Sequence, residues 1–490
     1  MTQVHDAASM RAAEERTIAA GTSSRELMLD AGTAAAREIR SRYPSARRIA
    51  VLCGSGGNGG DGYVVAMRLA LSGREVRIAS VSHDQPGGDA AWARELAQVE
   101  GVTFSSGTYG TGGALERADL VVDAMLGIGA SGEPRERVAF AIGRAASLSV
   151  PIVALDVPTG VDASTGEVAE VAVRADVTVA FGAPKLGLLV EPGRSHTGEL
   201  VVAGIGVDPA GGVASLVGEE ATALLPASSP GGSKYDRGTV LVVAGSPGMA
   251  GAAVLAGRAA QRGGAGMVRI CVDERAAEAV AMHVVDQLVV ALSERPAEAI
   301  ETISGLAERA QAIVVGPGLG RGEDRTTLVD GVLELPIPMI VDADGLHALG
   351  SRLDALAGRT APTVITPHAG EASRLLAIES AEVGAHRLAS VRALAERSGQ
   401  TALLKGSDTL IASPEGRLSI RGGNCDALAT AGTGDVLAGL IGALLARGLG
   451  AHDAAALGAW LHVDAGQRMV AAHPGRILAA SDLPDAIRAR

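Results

Sequence analysis

The sequence predicts two unlike α/β domains, each built on a largely parallel sheet with helices on both faces. Short unbroken apolar runs alternate with helical patterns along the whole chain, as expected of parallel strands buried on both sides by crossover helices. Two glycine-rich segments of different design stand in different halves: Cys53-Gly54-Ser55-Gly56-Gly57-Asn58-Gly59-Gly60-Asp61-Gly62, and Ala431-Gly432-Thr433-Gly434-Asp435-Val436-Leu437-Ala438-Gly439. Between them the turn-rich stretches Asp208-Pro209-Ala210-Gly211-Gly212 and Ser228-Ser229-Pro230-Gly231-Gly232 mark a junction. We place it within 212–225 and divide the chain into 1–215 and 216–490. Each half is long enough for its own core. The halves do not share motifs, so the chain reads as a fusion and not a duplication.

In the first half, strands are expected at 48–52, 76–81, 120–124, 152–157 and 177–181. Open α/β sheets bind ligands beyond the carboxyl ends of their strands, so the residues that follow each run are the ones to read. The run 48–52 feeds the first glycine segment, expected as a loop ahead of a helix over 63–71. It lacks the spacing and the downstream acidic residue of a dinucleotide fingerprint, which disfavours an ordinary dehydrogenase. The next strand ends carry Asp123-Ala124-Met125-Leu126-Gly127-Ile128-Gly129 and Asp156-Val157-Pro158-Thr159-Gly160. Asn58, Asp123 and Thr159 together offer hard oxygen ligands to a cation, leaving Asp156 for proton transfer. Asp156 and Thr159 are also natural turn formers beside Pro158 and Gly160.

The second half repeats the grammar with strands expected at 240–244, 267–272, 313–315, 339–341, 364–365 and 402–404. Three strand ends stand out: Gly316-Pro317-Gly318-Leu319-Gly320, Thr366-Pro367-His368-Ala369-Gly370-Glu371, and Leu403-Leu404-Lys405-Gly406-Ser407-Asp408-Thr409. The second glycine segment opens an apolar helix over 436–446. Unpaired N–H groups and the dipole at such a helix start favour an anion, and glycines let a phosphate approach the backbone. Asp435 then lies where it can take a proton from a hydroxyl attacking a phosphoryl group. The plainer alternative is an acidic residue that only complements the dipole.

Composition removes whole classes of function. A net charge of −12 and 2% aromatic residues leave neither the basic field nor the stacking surfaces of nucleic-acid grooves. No apolar run is long enough to span a bilayer and the start of the chain lacks a signal-like apolar segment, so a soluble, cytoplasmic protein is expected. Cys53, Cys271 and Cys425 are scattered without metal-like spacing, as befits buried thiols in a reducing compartment. Of 43 basic residues only Lys185, Lys234 and Lys405 are lysine. Where lysine persists against so much arginine, a compact ammonium is a reasonable demand of the site.

With these residues in view, the segments Gly245-Ser246-Pro247-Gly248-Met249-Ala250-Gly251-Ala252-Ala253, GPGLG, TPHAGE, LKGSDT and AGTGDVLAG resemble the nucleotide-dependent NAD(P)H-hydrate dehydratases over about 225–490. The resemblance implies a ribokinase-like C-terminal domain that uses ADP, with magnesium, to phosphorylate and then dehydrate the S hydrate of NADH or NADPH, releasing AMP and phosphate. It implies Asp435 as the base, hydrate contacts from Ala252, Gly318 and His368, and nucleotide contacts from Lys405, Gly406, Ser407, Asp408, Thr409 and Gly434. NGGDG, the two strand-end aspartates, the PTG turn, Leu27-Met28-Leu29-Asp30-Ala31-Gly32 and Phe181-Gly182-Ala183-Pro184-Lys185-Leu186-Gly187 resemble the NAD(P)H-hydrate epimerase domain over about 5–210. Asp30 departs from that family's Asn-Ala pair, and Leu29 stands where an acid is common.

This second resemblance implies a Rossmann-like three-layer N-terminal domain with potassium on Asn58, Asp123 and Thr159. It further implies Asp156 as the catalytic residue, with hydrate contacts from Gly57, Asn58, Gly59, Gly60, Asp61, Gly127, Ile128, Gly129, Ala130, Ser131, Gly132, Glu133 and Asp156. A fused epimerase and dehydratase is therefore expected, with NADHX, NADPHX and ADP as its small-molecule partners, in a homo-oligomer. The alternative is a ribokinase-like kinase for a vitamin precursor or sugar, joined to a non-catalytic dinucleotide-binding module.

Overall fold

The computed structural model describes residues 2–82, 84–105, 111–226, 231, 233–423 and 425–488. They divide into two compact units, Gln3–Ala214 and Ser215–Arg490.

The first unit holds a parallel sheet of β1 (Arg48–Cys53), β2 (Glu75–Ser80), β3 (Thr103–Phe104), β4 (Leu120–Ala124), β5 (Ile152–Leu155), β6 (Val177–Phe181) and β7 (Glu199–Ala203), in the order β3-β2-β1-β4-β5-β6-β7. Successive β1 residues point to opposite faces. Ile49, Val51 and Cys53 enter one apolar core with residues of helices α1 (Ala7–Ala19), α2 (Ser24–Arg42), α3 (Gly57–Leu71) and α4 (Gly88–Val99). Ala50 and Leu52 enter a second core with Val138, Ala141, Ile142 and Ala145 of helix α5 (Glu136–Ala146). Burial on both faces explains why the strands read as continuous apolar runs. Strand order reverses between β1 and β4, and a crevice opens at such a switch point.

Two expectations need correction here. Helix α3 begins at Gly57, not at 63, so the glycine segment is the first turns of the helix. A Cβ on Gly59 would lie 2.1 Å from the Gly54 carbonyl oxygen, so glycine lets the helix start press onto the turn that leaves β1. The strand expected at 152–157 stops at Leu155, because Asp156 takes φ +63° and ends the extended run.

The second unit holds β8 (Thr239–Val243), β9 (Met267–Asp273), β10 (Leu288–Leu292), β11 (Ala312–Val315), β12 (Met339–Val341), β13 (Thr363–Ile365), β14 (Thr401–Leu404), β15 (Thr409–Ala412) and β16 (Leu418–Arg421), in the order β16-β15-β14-β13-β12-β11-β8-β9-β10. The sheet is mixed. From β8 to β14 the pairings are parallel, whereas β14, β15 and β16 form an antiparallel meander. Gly406 and Ser407 lie in its first turn. Helix α8 (Thr433–Ala446) is buried on nearly every side in a core with helices α6 (Ala250–Arg262) and α9 (Ala451–Ala472). An all-apolar helix belongs in such a place. Gly439 faces α6 so closely that a Cβ there would lie 2.1 Å from the Ala256 carbonyl oxygen.

Candidate active sites

In the first unit the crevice at the β1–β4 switch point is a cavity of about 800 Å³. Gly57, Asn58, Asp61, the loop from Gly127 to Glu133, and Asp156 line it, together with Glu14 from α1 and Met28 from α2. Gly59 and Gly60 do not line it. They are buried, and a Cβ on Gly60 would lie 2.4 Å from the Met28 methyl carbon. These two glycines serve the seating of α3.

Asp156 is buried at the end of β5 and pairs with the ammonium of Lys185, which is 1% exposed. Lys185 also donates to the Phe181 carbonyl at 2.6 Å, and the Phe181 N–H donates to Asp156 at 3.2 Å. Asp156 lines the cavity, and the ammonium that holds it is buried behind the wall. Burial pushes the Asp61 carboxyl well above the usual carboxylate range, and the Asp156 and Glu14 charges push the same way. Glu14 is raised too, first by burial and then by Asp156.

Asn58, Asp123 and Thr159 come together beside this cavity. The Thr159 hydroxyl and N–H donate to the two Asp123 oxygens at 2.7 and 2.8 Å, and Asn58 Nδ2 donates to the Leu126 carbonyl at 2.8 Å. Asn58 Oδ1 is buried with no hydrogen-bond partner. An orphaned amide oxygen next to a carboxylate and a hydroxyl is the donor set a hard monovalent cation satisfies. Burial pushes Asp123 up to about 6 despite the hydrogen bonds from Thr159 and Met125, so a cation there would favour its ionised form.

In the second unit the strand ends converge on Lys405. Its ammonium lies 2.7 Å from Asp342 and 3.7 Å from Glu371, and the Thr366 hydroxyl donates to Asp342 at 2.9 Å. Burial works against the charge on Lys405, but Asp342, Glu371 and Asp435 outweigh it and raise the ammonium's pKa. Gly434 sits beside this pair, the position of its absent Cβ being 3.6 Å from the ammonium. Asp435 follows in the first turn of α8, whose N-cap Gly432 takes φ +94°. Burial, and then the charge of Asp342, push Asp435 up to about 7. Behind the turn His462 contacts the Thr433 carbonyl at 2.9 Å, and burial drives its own pKa down to about 4. A neutral ring with Nε2 protonated fixes the backbone there.

The remaining predicted residues fall into place unevenly. Gly318 takes φ +55° and packs against Ala252, its missing Cβ 2.9 Å from the Ala252 Cβ. His368 caps helix α7 (Ala369–Leu376), its Nδ1 accepting from the N–H groups of Gly370 and Glu371 at 3.0 and 3.2 Å, while the ring stays exposed. Asp408 is fully buried and engaged by Arg387 at 2.8 Å, so its side chain braces the turn in which Gly406 and Ser407 are exposed. The sequence reading left out Asp342 and Asp344, and it marked Lys185 only as one of three lysines that a site could demand, without a role. Asp342 and Asp344 were findable, since they directly follow the strand read at 339–341. Asp344 accepts from the Gly320 N–H and from Arg321, both at 3.0 Å.

Comparison with known proteins finds a different family for each half of the chain. A family model described as NAD(P)H-hydrate dehydratase matches residues 240–488, and one described as YjeF-related protein N-terminus matches residues 24–187. A bifunctional NAD(P)H-hydrate repair enzyme of Salinibacter ruber is 39% identical, covering 98% of this chain and 94% of its own. The crystal structure of the ADP/ATP-dependent NAD(P)H-hydrate dehydratase of Bacillus subtilis, co-crystallised with ATP and Mg2+, is 30% identical with a TM-score of 0.50, covering 56% of this chain and 96% of its own. A ribokinase-like superfamily protein of Enterococcus faecalis, 22% identical with a TM-score of 0.50, shares the fold over 56% of this chain and 94% of its own.

Proposed function

The chain belongs to the bifunctional NAD(P)H-hydrate repair enzymes, and from that premise we propose which of its residues perform each half of the repair. It interconverts the epimers of hydrated NADH and NADPH and dehydrates one of them back to the reduced nucleotide. We assign epimerisation to 1–215 and dehydration to 216–490.

The observation that carries the assignment is the pairing of one strand-end or helix-start carboxylate with one lysine in each unit: Asp156 with Lys185, and Asp435 beside the Lys405–Asp342 pair. Asp156 works on the hydroxylated carbon of the ring, in a cavity whose size suits a nucleotide substrate. The backbone from Gly127 to Glu133 and the residues Gly57 to Asp61 hold the hydrate. Potassium on Asn58, Asp123 and Thr159 would supply positive charge beside the substrate.

In the second unit Asp435 takes the proton of the hydrate's hydroxyl, whose oxygen attacks the terminal phosphoryl group of ADP. AMP departs, and loss of phosphate from the ester, with a proton leaving the neighbouring ring carbon so that its C–H pair forms the ring double bond, restores the reduced ring. Lys405, the backbone from Gly406 to Thr409, and Gly434 hold the nucleotide; Ala252, Gly318 and His368 border the hydrate. Among the described residues no cluster of three acidic, histidine or cysteine side chains forms a ready metal cage. Magnesium would come bound to the nucleotide phosphates, as is usual for that ion, and would neutralise their charge during transfer. A homo-oligomeric, cytoplasmic enzyme that prefers ADP to ATP completes the reading; no described helix is long and apolar enough to cross a membrane.

The test follows the absorbance of reduced nicotinamide while the protein acts on mixed-epimer NADHX with ADP, magnesium and potassium. Complete, fast, ADP-dependent recovery is expected. A phosphorylated product that accumulates without that absorbance would instead mark a kinase.

A further inference from the structure

The cavity beside Asp156 has a wall that the roles above leave idle. Helix α1 carries Glu14 into the lining, and α1 lies ahead of residue 24, where the family match to this half begins. Five carboxyls line this cavity, those of Glu14, Asp61, Asp84, Glu133 and Asp156, and three of them act on one another's charge: Glu14 from α1, Asp61 from the first turns of α3, and Asp156 beyond β5. The ammonium among them, Lys185, is taken by Asp156 and by the Phe181 carbonyl. Burial and the neighbouring negative charge raise the proton affinity of both Glu14 and Asp61.

What distinguishes Glu14 from Asp61 is the surroundings of the anion left behind when a proton is given up. Glu14 feels the charge of two cations, Lys185 and Arg11 of its own helix, against the acids Asp156, Asp61 and Glu15. Asp61 faces Lys185 alone, against Asp156 and Glu14. The anion therefore finds more cationic support at Glu14 than at Asp61. Paired carboxyls in unlike surroundings are how one site holds both an acid and a base.

We infer that Glu14 is the general acid of the epimerase, protonating the hydroxyl that leaves the hydrated ring while Asp156 deprotonates the water that returns on the opposite face. The inference rests on the epimerase reading of this cavity. The carbon–oxygen bond breaks with its electron pair on oxygen, which takes the Glu14 proton and departs as water. The ring nitrogen's lone pair forms a carbon–nitrogen double bond, leaving a cationic ring. A water molecule then forms the new carbon–oxygen bond on the other face, the double-bond pair returns to nitrogen, and the surplus proton passes to Asp156. Proton exchange with solvent moves that proton back to Glu14. Nothing is oxidised or reduced.

The experiment uses the full chain without nucleotide, following conversion of one purified NADHX epimer into the other across pH. Glu14→Gln keeps size and polarity but has no proton to give. It should lower kcat at least about 100-fold with KM within about twofold, and erase the basic limb on which activity falls as the acid ionises. Glu14→Asp should restore part of kcat and that limb, and ADP-driven recovery of the S epimer should be unchanged in both variants. Glu14→Gln with an intact basic limb, whether kcat holds or only KM rises, overturns the inference. So does loss of the limb in Asp61→Asn but not in Glu14→Gln. Wild-type protein that leaves a pure epimer unconverted would instead overturn the epimerase reading itself.

Discussion

Two carboxylates and two lysines decide the chemistry, and each has a measurable signature. Asp435 must be ionised to act as a base, and burial beside Asp342 pushes its pKa up to about 7. The kcat/KM of nucleotide-driven recovery should therefore rise with pH through about 7 and level off above it, a limb that a pH profile reads directly. Asp435→Asn should remove more than about 100-fold of kcat while leaving epimer interconversion intact. The same shift carries a stability sign. A carboxyl raised in the folded state binds more protons folded than unfolded between about pH 4 and 7, so stability falls as pH rises through that window. Melting curves should show Asp435→Asn raising Tm at pH 8 more than at pH 5. Lys185 makes the opposite case, because its charge is buried and paired. Lys185→Met strands Asp156 without its partner and should destabilise the first unit by about 3–5 kcal/mol, whereas adding Asp156→Asn to it should return much of the loss. An additive double-mutant cycle in denaturant would contradict the pairing.

The elements show which features the sequence displayed and which it hid. Strand cores were legible because burial on both faces leaves uninterrupted apolar runs, as in β4 and β6, whose bounds match the runs read at 120–124 and 177–181. β7 was passed over although residues 200–203 are apolar; it is the edge strand of the sheet, with Glu199 and Val202 exposed. The meander β14–β15–β16 was missed after its first strand for a different reason: its short strands are joined by polar turns that read as loop. Asp435 was legible because its glycines are a local pattern, and Asp123 and Asp156 because they end strands. Asp342 follows the same strand-end rule, but its value lies in Lys405, 63 residues away. Glu14 offered no local signal, since only the tertiary fold brings α1 to the cavity. Glycines read as phosphate cradles prove to have a second duty in packing. Gly439→Ala pushes a methyl onto the Ala256 carbonyl of α6 and should cost about 1–3 kcal/mol, seen as a lower denaturant midpoint with an unchanged m-value. A neutral result would mean that α6 and α8 have slack at this crossing.

At the scale of the whole molecule, the pairing of these two activities in one chain follows from stereochemistry. Hydration of a reduced nicotinamide ring creates a new stereocentre, so damage arrives as two epimers. A phosphorylating site built around one hydroxyl position accepts only one of them, because a base such as Asp435 must reach that oxygen within hydrogen-bond distance. Without an epimerase, the other isomer would leave the pool only as fast as it converts unaided. Asp156→Ala isolates this dependence without touching Asp435, which lies in the other compact unit. Given mixed epimers, ADP, magnesium and potassium, the variant should recover absorbance in two phases. A fast phase should equal the share of the S epimer, and a slow one should run at the uncatalysed rate of interconversion and be indifferent to protein concentration. Wild-type protein should show one fast phase to completion. Adding Asp435→Asn protein, whose epimerase site is intact, should restore the missing fast phase in proportion to the amount added. That complementation needs only free diffusion of the S hydrate between molecules. If the two variants fail to complement, one of the substitutions has removed both activities, and the assignment of Asp156 and Asp435 to separate sites falls.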